Sequence, residues 1–420
     1  MRIGRTLPPA AAPISKLSFL RGFQGIRRGQ HEIESFRADL KDFFKVEHCF
    51  LLSSGKAALT VILRALKALN PERDEILIPA FSCYSVPSAV VRAGLKIRLA
   101  DMDPHTLDYD FETLRTRLKG KDRLLAAVSI HLFGLPADIS KLIETLDDPQ
   151  ITVIEDAAQA MGGVANDKYL GTISSAGFFS LGRGKVFSTA EGGVILTHSD
   201  ELADIIHEKI KELVVKPGRG VFRLVSYALA LSFFIRPSLF WLPKSIPSLK
   251  LGETIYDTRF PIDAFASFQA GLASNWRKEM ASLQQMRDKN VRYWTQTLTR
   301  FPWIQPIIQL NGKMPAYPLI RFPVLIQNTF LREKLLTISE KKGLGIMPSY
   351  PGTIDTIDGL KYEFDGEDFH GAKTCADQLV TFPVHKFVSS TDRKKIVDCL
   401  NVIQADYCNS YFQTGKTQSN

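Results

Sequence analysis

A lysine set between glycines is the residue of this sequence best placed to do chemistry. Lys185 stands in the stretch Ser180-Leu-Gly-Arg-Gly-Lys-Val-Phe-Ser-Thr-Ala-Glu-Gly-Gly193, after the apolar run Ala176–Phe179 and before Val194–Thr197. Glycines let the chain turn tightly, so an amine there can be aimed out of a sheet edge rather than laid along a surface. Near apolar surface an amine ionises less readily, and a neutral lysine can add to an aldehyde to form a Schiff base. Lys185 is therefore the candidate nucleophile.

The aldehyde has to come from a cofactor. Pyridoxal phosphate is the usual source, and it asks for an acid at its pyridine nitrogen, a cradle for its phosphate and a partner for its ring. A nucleotide-binding P-loop is excluded, since that motif needs a glycine five positions before Gly-Lys and Ser or Thr after it. Those places hold Phe50 and Ala57 around Gly55-Lys56, and Phe179 and Val186 around Gly184-Lys185.

The elements that must position these residues alternate. Short β-rich runs are predicted at 48–52, 76–79, 96–100, 124–130, 151–155, 176–179 and 194–197. Helical periodicity is predicted at 32–44, 56–69, 86–93, 111–118, 139–146 and 201–213. Repeated strand–helix alternation predicts an α/β fold with a mostly parallel central sheet flanked by helices. Ligands of such sheets bind beyond the carboxyl ends of the strands. Five polar clusters fall there: Ser53-Ser54-Gly55-Lys56, Ala80 to Tyr84, His131 to Gly134, Glu155 to Gln159, and Ser180 to Lys185. The helix opening after Ser53-Ser54 would present free amides to an anion.

Composition sets bounds. The 420 residues, 45% hydrophobic and 23% charged, suit a soluble globular protein of one large and one smaller domain or of two domains of similar size. A net charge of +9 suits an anionic ligand, a nucleic acid, a membrane surface or no partner; no nucleic-acid partner is expected. Five scattered cysteines mark neither a disulfide framework nor a zinc site, so no metal is expected and a reducing cytoplasm is. The proline-containing start lacks a signal-peptide core and is expected to be an arm, lying on a partner subunit. The run Leu224–Ile235 is too short to span a bilayer. Two readings stay open for the segment around it, a buried interface or peripheral membrane contact through 221–242.

These motifs in this order, Ser-Ser-Gly-Lys-Ala-Ala-Leu at 53–59, His-Leu-Phe-Gly-Leu-Pro-Ala-Asp at 131–138, Glu-Asp-Ala-Ala-Gln-Ala at 155–160 and Ser180 to Gly193, resemble the DegT/StrS-like sugar aminotransferases. These form a branch of the fold-type I, pyridoxal-phosphate-dependent aminotransferases. The similarity runs from about residue 32 to about residue 400. It implies that Lys185 holds the cofactor and moves a proton, with Asp156 under the pyridine nitrogen and Gln159 near the ring's phenolic oxygen. It implies that Ser180, Ser54 and the amides of Gly55, Lys56 and Ala57 hold the phosphate. Tyr84 or Phe81 would stack on the ring, because the family's aromatic position falls at Cys83. His131 would lie near the ring or serve as a structural hydrogen-bonder. Where the family commonly has Thr stands Lys56, expected to bring positive charge to the phosphate. The family's Asn-x-Arg-Met, which reaches the neighbouring subunit's phosphate, reads Asp257-Thr-Arg-Phe260, so either Thr258 or Arg259 takes over or the contact is lost. A related dehydratase subgroup has histidine at the lysine position, so Lys185 favours transamination.

The resemblance implies a pyridoxal 5'-phosphate aminotransferase passing an amino group, from glutamate, to a nucleotide-linked keto sugar, for surface polysaccharide or glycoconjugate synthesis. It also implies a homodimer with shared active sites. Two alternatives stand beside it: an enzyme of the same fold using another, amphiphilic carbonyl compound, and a non-catalytic regulatory protein. The expected organisation is an arm at 1–31, a large cofactor-binding domain at 32–213, an apolar and basic insertion at 214–251, a linking helical region at 252–318, a small α/β domain at 319–409 and a frayed tail at 410–420.

Overall fold

The computed structural model describes residues 3–118, 120–213, 218–246, 254–308 and 318–416. The ends of the expected insertion (214–217 and 247–251), parts of the linking region (252–253 and 309–317) and the last four tail residues lie outside the described residues.

Helices α1 Lys16–Arg28 and α2 Gln30–Phe44 lead into strand β1 His48–Leu52 and helix α3 Gly55–Leu69. Then follow β2 Glu75–Pro79, α4 Ser85–Ala93, β3 Lys96–Ala100, the short pair β4 Met102–Asp103 and β5 Asp108–Tyr109, and α5 Phe111–Arg117. Next come β6 Leu124–Ile130, α6 Ile139–Leu146, β7 Thr152–Asp156, the short pair β8 Val164–Ala165 and β9 Lys168–Tyr169, then β10 Ala176–Ser180, β11 Gly193–Thr197 and α7 Asp200–Lys211. The predicted strands of the large domain all form, within two residues of their expected ends, because each is an apolar run buried from both sides by flanking helices.

These strands make one seven-stranded sheet in the order β1-β11-β10-β7-β6-β2-β3. Strand β11 is antiparallel to both β1 and β10, while β10, β7, β6, β2 and β3 are mutually parallel. Two antiparallel steps restore direction, so β1 points the same way as the parallel strands. Its carboxyl end therefore opens on their rim.

Beyond α7 lie α8 Gly218–Phe234, α9 Trp241–Lys244, α10 Ser267–Ala273 and the long α11 Trp276–Leu298. The small domain has β12 Gln305–Pro306, β13 Arg321–Leu325, α12 Thr329–Lys342, β14 Met347–Pro348, α13 His370–Gln378, β15 Leu379–Pro383 and α14 Ser390–Lys416. Its four strands pair antiparallel in the order β12-β13-β15-β14.

Three expectations are corrected. Half of the supposed arm is helix α1, which crosses α10 so closely that a Cβ on Gly25 would lie 2.3 Å from the Ser267 carbonyl oxygen. The residues before it lie on this chain's own small domain: the Leu7 amide donates to the Gly343 carbonyl at 2.9 Å, and Arg5 pairs with Asp392. The expected frayed tail is helical as far as Lys416, as the closing turns of α14.

Candidate active site

The sheet register brings the expected residues together. Leu52, Gly193 and Ser180 are aligned across β1, β11 and β10, while Ile130, Asp156 and Phe178 are aligned across β6, β7 and β10. Ser53-Ser54, Ser180, Asp156 and His131 thus sit at or just past neighbouring strand ends.

Ser54 caps α3, its Oγ accepting from the Ala57 amide at 3.1 Å. That narrows the expected anion cradle, because the Ala57 N–H is already spent. The amides of Gly55 and Lys56 open the helix with no acceptor among the described residues. Ser180 lies against this turn: a Cβ on Gly55 would come within 2.9 Å of its Cβ and 3.2 Å of its Oγ. A Cβ on Gly193 would lie 2.1 Å from the Ser54 carbonyl oxygen, so only glycine lets the two strands close here. Two free amides, a helix N-terminus and a hydroxyl make a site suited to a phosphate.

Asp156 is buried, and among the described residues its carboxylate accepts one hydrogen bond, from the Ala158 amide at 3.0 Å. Burial pushes its pKa up, opposed by the nearby charge of Lys185. Asp156 and Lys185, which lie 29 positions apart in the chain, are therefore electrostatic neighbours. The Lys185 loop is fixed from outside: buried Arg287 of α11 donates from Nη2 to the Lys185 carbonyl at 3.0 Å and from Nη1 to the Val186 carbonyl at 2.9 Å. Burial lowers the Arg287 pKa to about 10.

Gln159 uses both ends of its amide. Its Oε1 accepts from the Phe133 amide and its Nε2 donates to the Tyr350 hydroxyl, each at 3.1 Å. Phe133 has φ 59°, a conformation unfavourable for a non-glycine residue, and is pinned further by the Ile320 amide donating to its carbonyl at 3.0 Å. One turn thus joins the rim of the large domain to the small one.

His131 takes the structural of its two expected roles. Its ring is wholly buried; Nδ1 accepts from the Ala137 amide at 3.0 Å, which leaves the proton on Nε2 to donate to Glu155 at 3.0 Å. Glu155 also accepts from the amides of Gly171, Ile173 and Ser174. Burial would raise its pKa, but His131 and these donors hold it below the usual value.

The loop after β2 departs from expectation. Tyr84 turns its hydroxyl to Thr356 of the small domain, and Phe81 packs against Tyr350 with ring centroids 5.3 Å apart. Cys83 instead places its Sγ 3.3 Å from the Ser85 hydroxyl and 3.2 Å from the Thr254 hydroxyl. Burial raises the pKa of Tyr350.

Lys56 holds its ammonium 4.4 Å from the centroid of the Phe260 ring. Burial lowers its pKa, opposed by Asp257, Cys83 and Glu191. Asp257, at the position the family gives to a residue reaching a partner's phosphate, thus lies in the electrostatic surroundings of Lys56 of its own chain. Arg259 is exposed, and its amide donates to Asp257 at 2.9 Å.

Sequence reasoning missed Arg287, Tyr350 and Arg321. Arg287 carried a signal: it falls on the buried stripe Met280, Leu283, Arg287, Val291, Trp294 of α11, where a charge must have partners. Arg321 opens β13, and burial lowers its pKa. No carboxylate or hydrogen-bond acceptor meets its guanidinium among the described residues. Nothing in its spacing singles it out.

Residues 19–219 match the model of the DegT/DnrJ/EryC1/StrS aminotransferase family. That stretch, just under half of the chain, is similar to this family. GDP-perosamine synthase of Vibrio cholerae is 28% identical over 200 residues, 48% of this chain and 53% of that protein. GDP-4-keto-6-deoxy-D-mannose 3-dehydratase of Yersinia pseudotuberculosis is 28% identical over 178 residues, 41% of this chain and 45% of that protein. The chain spans about half the length of the curated relatives it matches. The fold extends further: Helicobacter pylori PseC, an aminotransferase involved in the biosynthesis of pseudoaminic acid, superposes with a TM-score of 0.76 at 16% identity, covering 96% of this chain and 100% of that one. The α/β fold is therefore shared along nearly the whole chain, well past the matched family segment.

Proposed function

We propose that the protein is a pyridoxal-phosphate-dependent aminotransferase that moves an amino group, from glutamate, to a nucleotide-linked keto sugar. The observation that carries this reading is the meeting of Lys185 and buried Asp156 on a rim that also holds the Ser180–Gly55 anion cradle. The residues fit the cofactor. Asp156 is a buried carboxylate short of donors, which a protonated ring nitrogen would satisfy. Gly55 and Lys56 offer open amides beside the Ser180 hydroxyl, and Lys56 adds a half-buried cation.

When bound, the cofactor supplies an aldehyde carbon for the amino group and a ring that draws electrons from it. Lys185 would hold the cofactor, and its amine would serve as the base and acid that moves a proton at the reacting centre. Asp156 keeps the ring nitrogen charged, and Gln159 aligns the ring while tying it to the small domain through Tyr350. Arg321 offers an unspent guanidinium to a substrate anion. A lysine at 185 supports amino transfer over the dehydration named for one relative. A homodimer with shared sites and a cytoplasmic location belong to the same proposal, and the nucleotide-sugar names of two relatives support its substrate class alone.

Purified protein is expected to be yellow and to change its absorbance on adding glutamate. Borohydride reduction followed by peptide mapping is expected to place the label on Lys185. A label elsewhere, or colour indifferent to every amino donor, would overturn the reading.

A further inference from the structure

Helices α1 and α8 leave an apolar surface uncovered. Their inner sides meet in one cluster, in which Ile14, Leu224, Ala228 and Phe268 are buried and Phe19, Val225 and Leu231 pack alongside. Their outer sides carry Leu17, Leu20, Phe23 and Ile26 on α1, and Phe222, Leu229 and Phe233 on α8. Phe222 is 73% exposed and Leu20 61%, values that ordinary surface packing does not explain for side chains of this size. Leu242 and Ile246 continue the exposed apolar residues past α9.

Charge decides between occupants. Neither helix contains an acidic residue. Lys16, Arg21, Arg27 and Arg28 lie on α1, Arg223 lies on α8, and exposed Arg236 follows it. A second copy presenting the same face would set cation against cation. An anionic lipid surface instead attracts the arginines and takes up the leucine and phenylalanine side chains between them. Among the described residues no helix is long and apolar enough to cross a membrane, so contact would be in the interfacial plane.

We propose that α1 and α8 together form a docking face for an anionic membrane surface, extending the contact expected of 221–242 alone to a second helix from the N-terminal region. The inner sides of these helices reach Ala190 of the Lys185 loop, but the exposed outer sides are read by vesicle binding alone, without reference to the catalytic reading.

The test is flotation of the full-length holoprotein with vesicles of phosphatidylcholine alone or with phosphatidylglycerol. Binding is expected only with phosphatidylglycerol, and is expected to weaken as salt is raised. A quadruple variant, Leu17→Gln, Leu20→Gln, Phe222→Gln and Phe233→Gln, and a charge variant, Arg27→Glu with Arg223→Glu, are each expected to lower vesicle binding at least about tenfold. Both should keep the parent mass by light scattering and the parent activity. Absence of flotation with either vesicle would overturn the proposal, as would flotation untouched by both variants. A loss of dimer mass in the apolar variant without vesicles would assign the face to a second copy and overturn it equally.

Discussion

The guanidinium of Arg287, 1% exposed in the middle of α11, donates to the carbonyl oxygens of Lys185 and Val186 at 3.0 and 2.9 Å. The glycine-rich loop closes on itself through Leu181–Gly192 and Thr189–Leu181 backbone bonds, and at Lys185 it is tied to a helix 102 positions further along the chain. Replacing Arg287 with Met would leave both carbonyls without a donor at a buried site. The expected loss is about 2–4 kcal/mol of stability in urea unfolding, from two unsatisfied groups. Borohydride labelling of Lys185 is expected to fall in the folded fraction. Full labelling with unchanged stability would show that the loop holds itself.

Asp156→Asn separates chemistry from folding. Burial raises the Asp156 pKa, so this carboxyl favours the folded state when protonated and loses that advantage as pH rises through its folded pKa. The asparagine keeps an acceptor for Ala158 and drops the charge. Apoprotein unfolding at pH 7 is therefore expected at an equal or higher denaturant concentration than for the parent, while turnover falls by about 10²-fold or more. A less stable apoprotein with retained turnover would remove Asp156 from the proposed role.

Arg321 faces Tyr350 and Cys83 with no carboxylate to meet it among the described residues. A charged hydrogen bond to a substrate anion is worth about 1.5–3 kcal/mol. Arg321→Gln is accordingly expected to raise the KM for glutamate by about tenfold to a hundredfold. Little change is expected with an amine that lacks a carboxylate. Equal losses with both amines would place Arg321 in structure rather than recognition.

The N-terminal segment is acid-sensitive by construction. His385 donates from Nε2 to the Pro8 carbonyl at 2.7 Å and, pushed down by burial, has a pKa of about 4. Asp392 is pushed up by burial, but Arg5 and Ser389 pull it down to about 2. Between about pH 6.5 and 4 the unfolded chain takes up a proton on His385 that the folded chain refuses, so stability falls as pH falls. Below about pH 4 Asp392 continues the loss in the same direction. Stability measured from pH 7 to 4 is expected to decline less steeply in His385→Gln. An unchanged slope would exclude His385 as a source.

Much of the site was legible because its parts are local. A strand ends where apolar alternation ends, a helix begins at its capping serine, and the residues between belong to the rim. The clusters holding Ser54, Asp156, Ser180 and Lys185 could therefore be placed on the rim from spacing and type, while the roles of Asp156 and Ser180 came from the family resemblance. Pairings over distance were not legible. The sequence by itself determined the α/β alternation and the polar clusters at the strand ends, since both follow from periodicity and turn chemistry within a few residues. Only the tertiary structure decided that Arg287 ties down the Lys185 loop, that Lys56 lies over Phe260, that His131 serves Glu155 and that Arg321 enters from the small domain. Each of these is a contact between segments whose approach is set by packing of the whole core, and no short stretch of sequence encodes which side chain will be waiting on the other side.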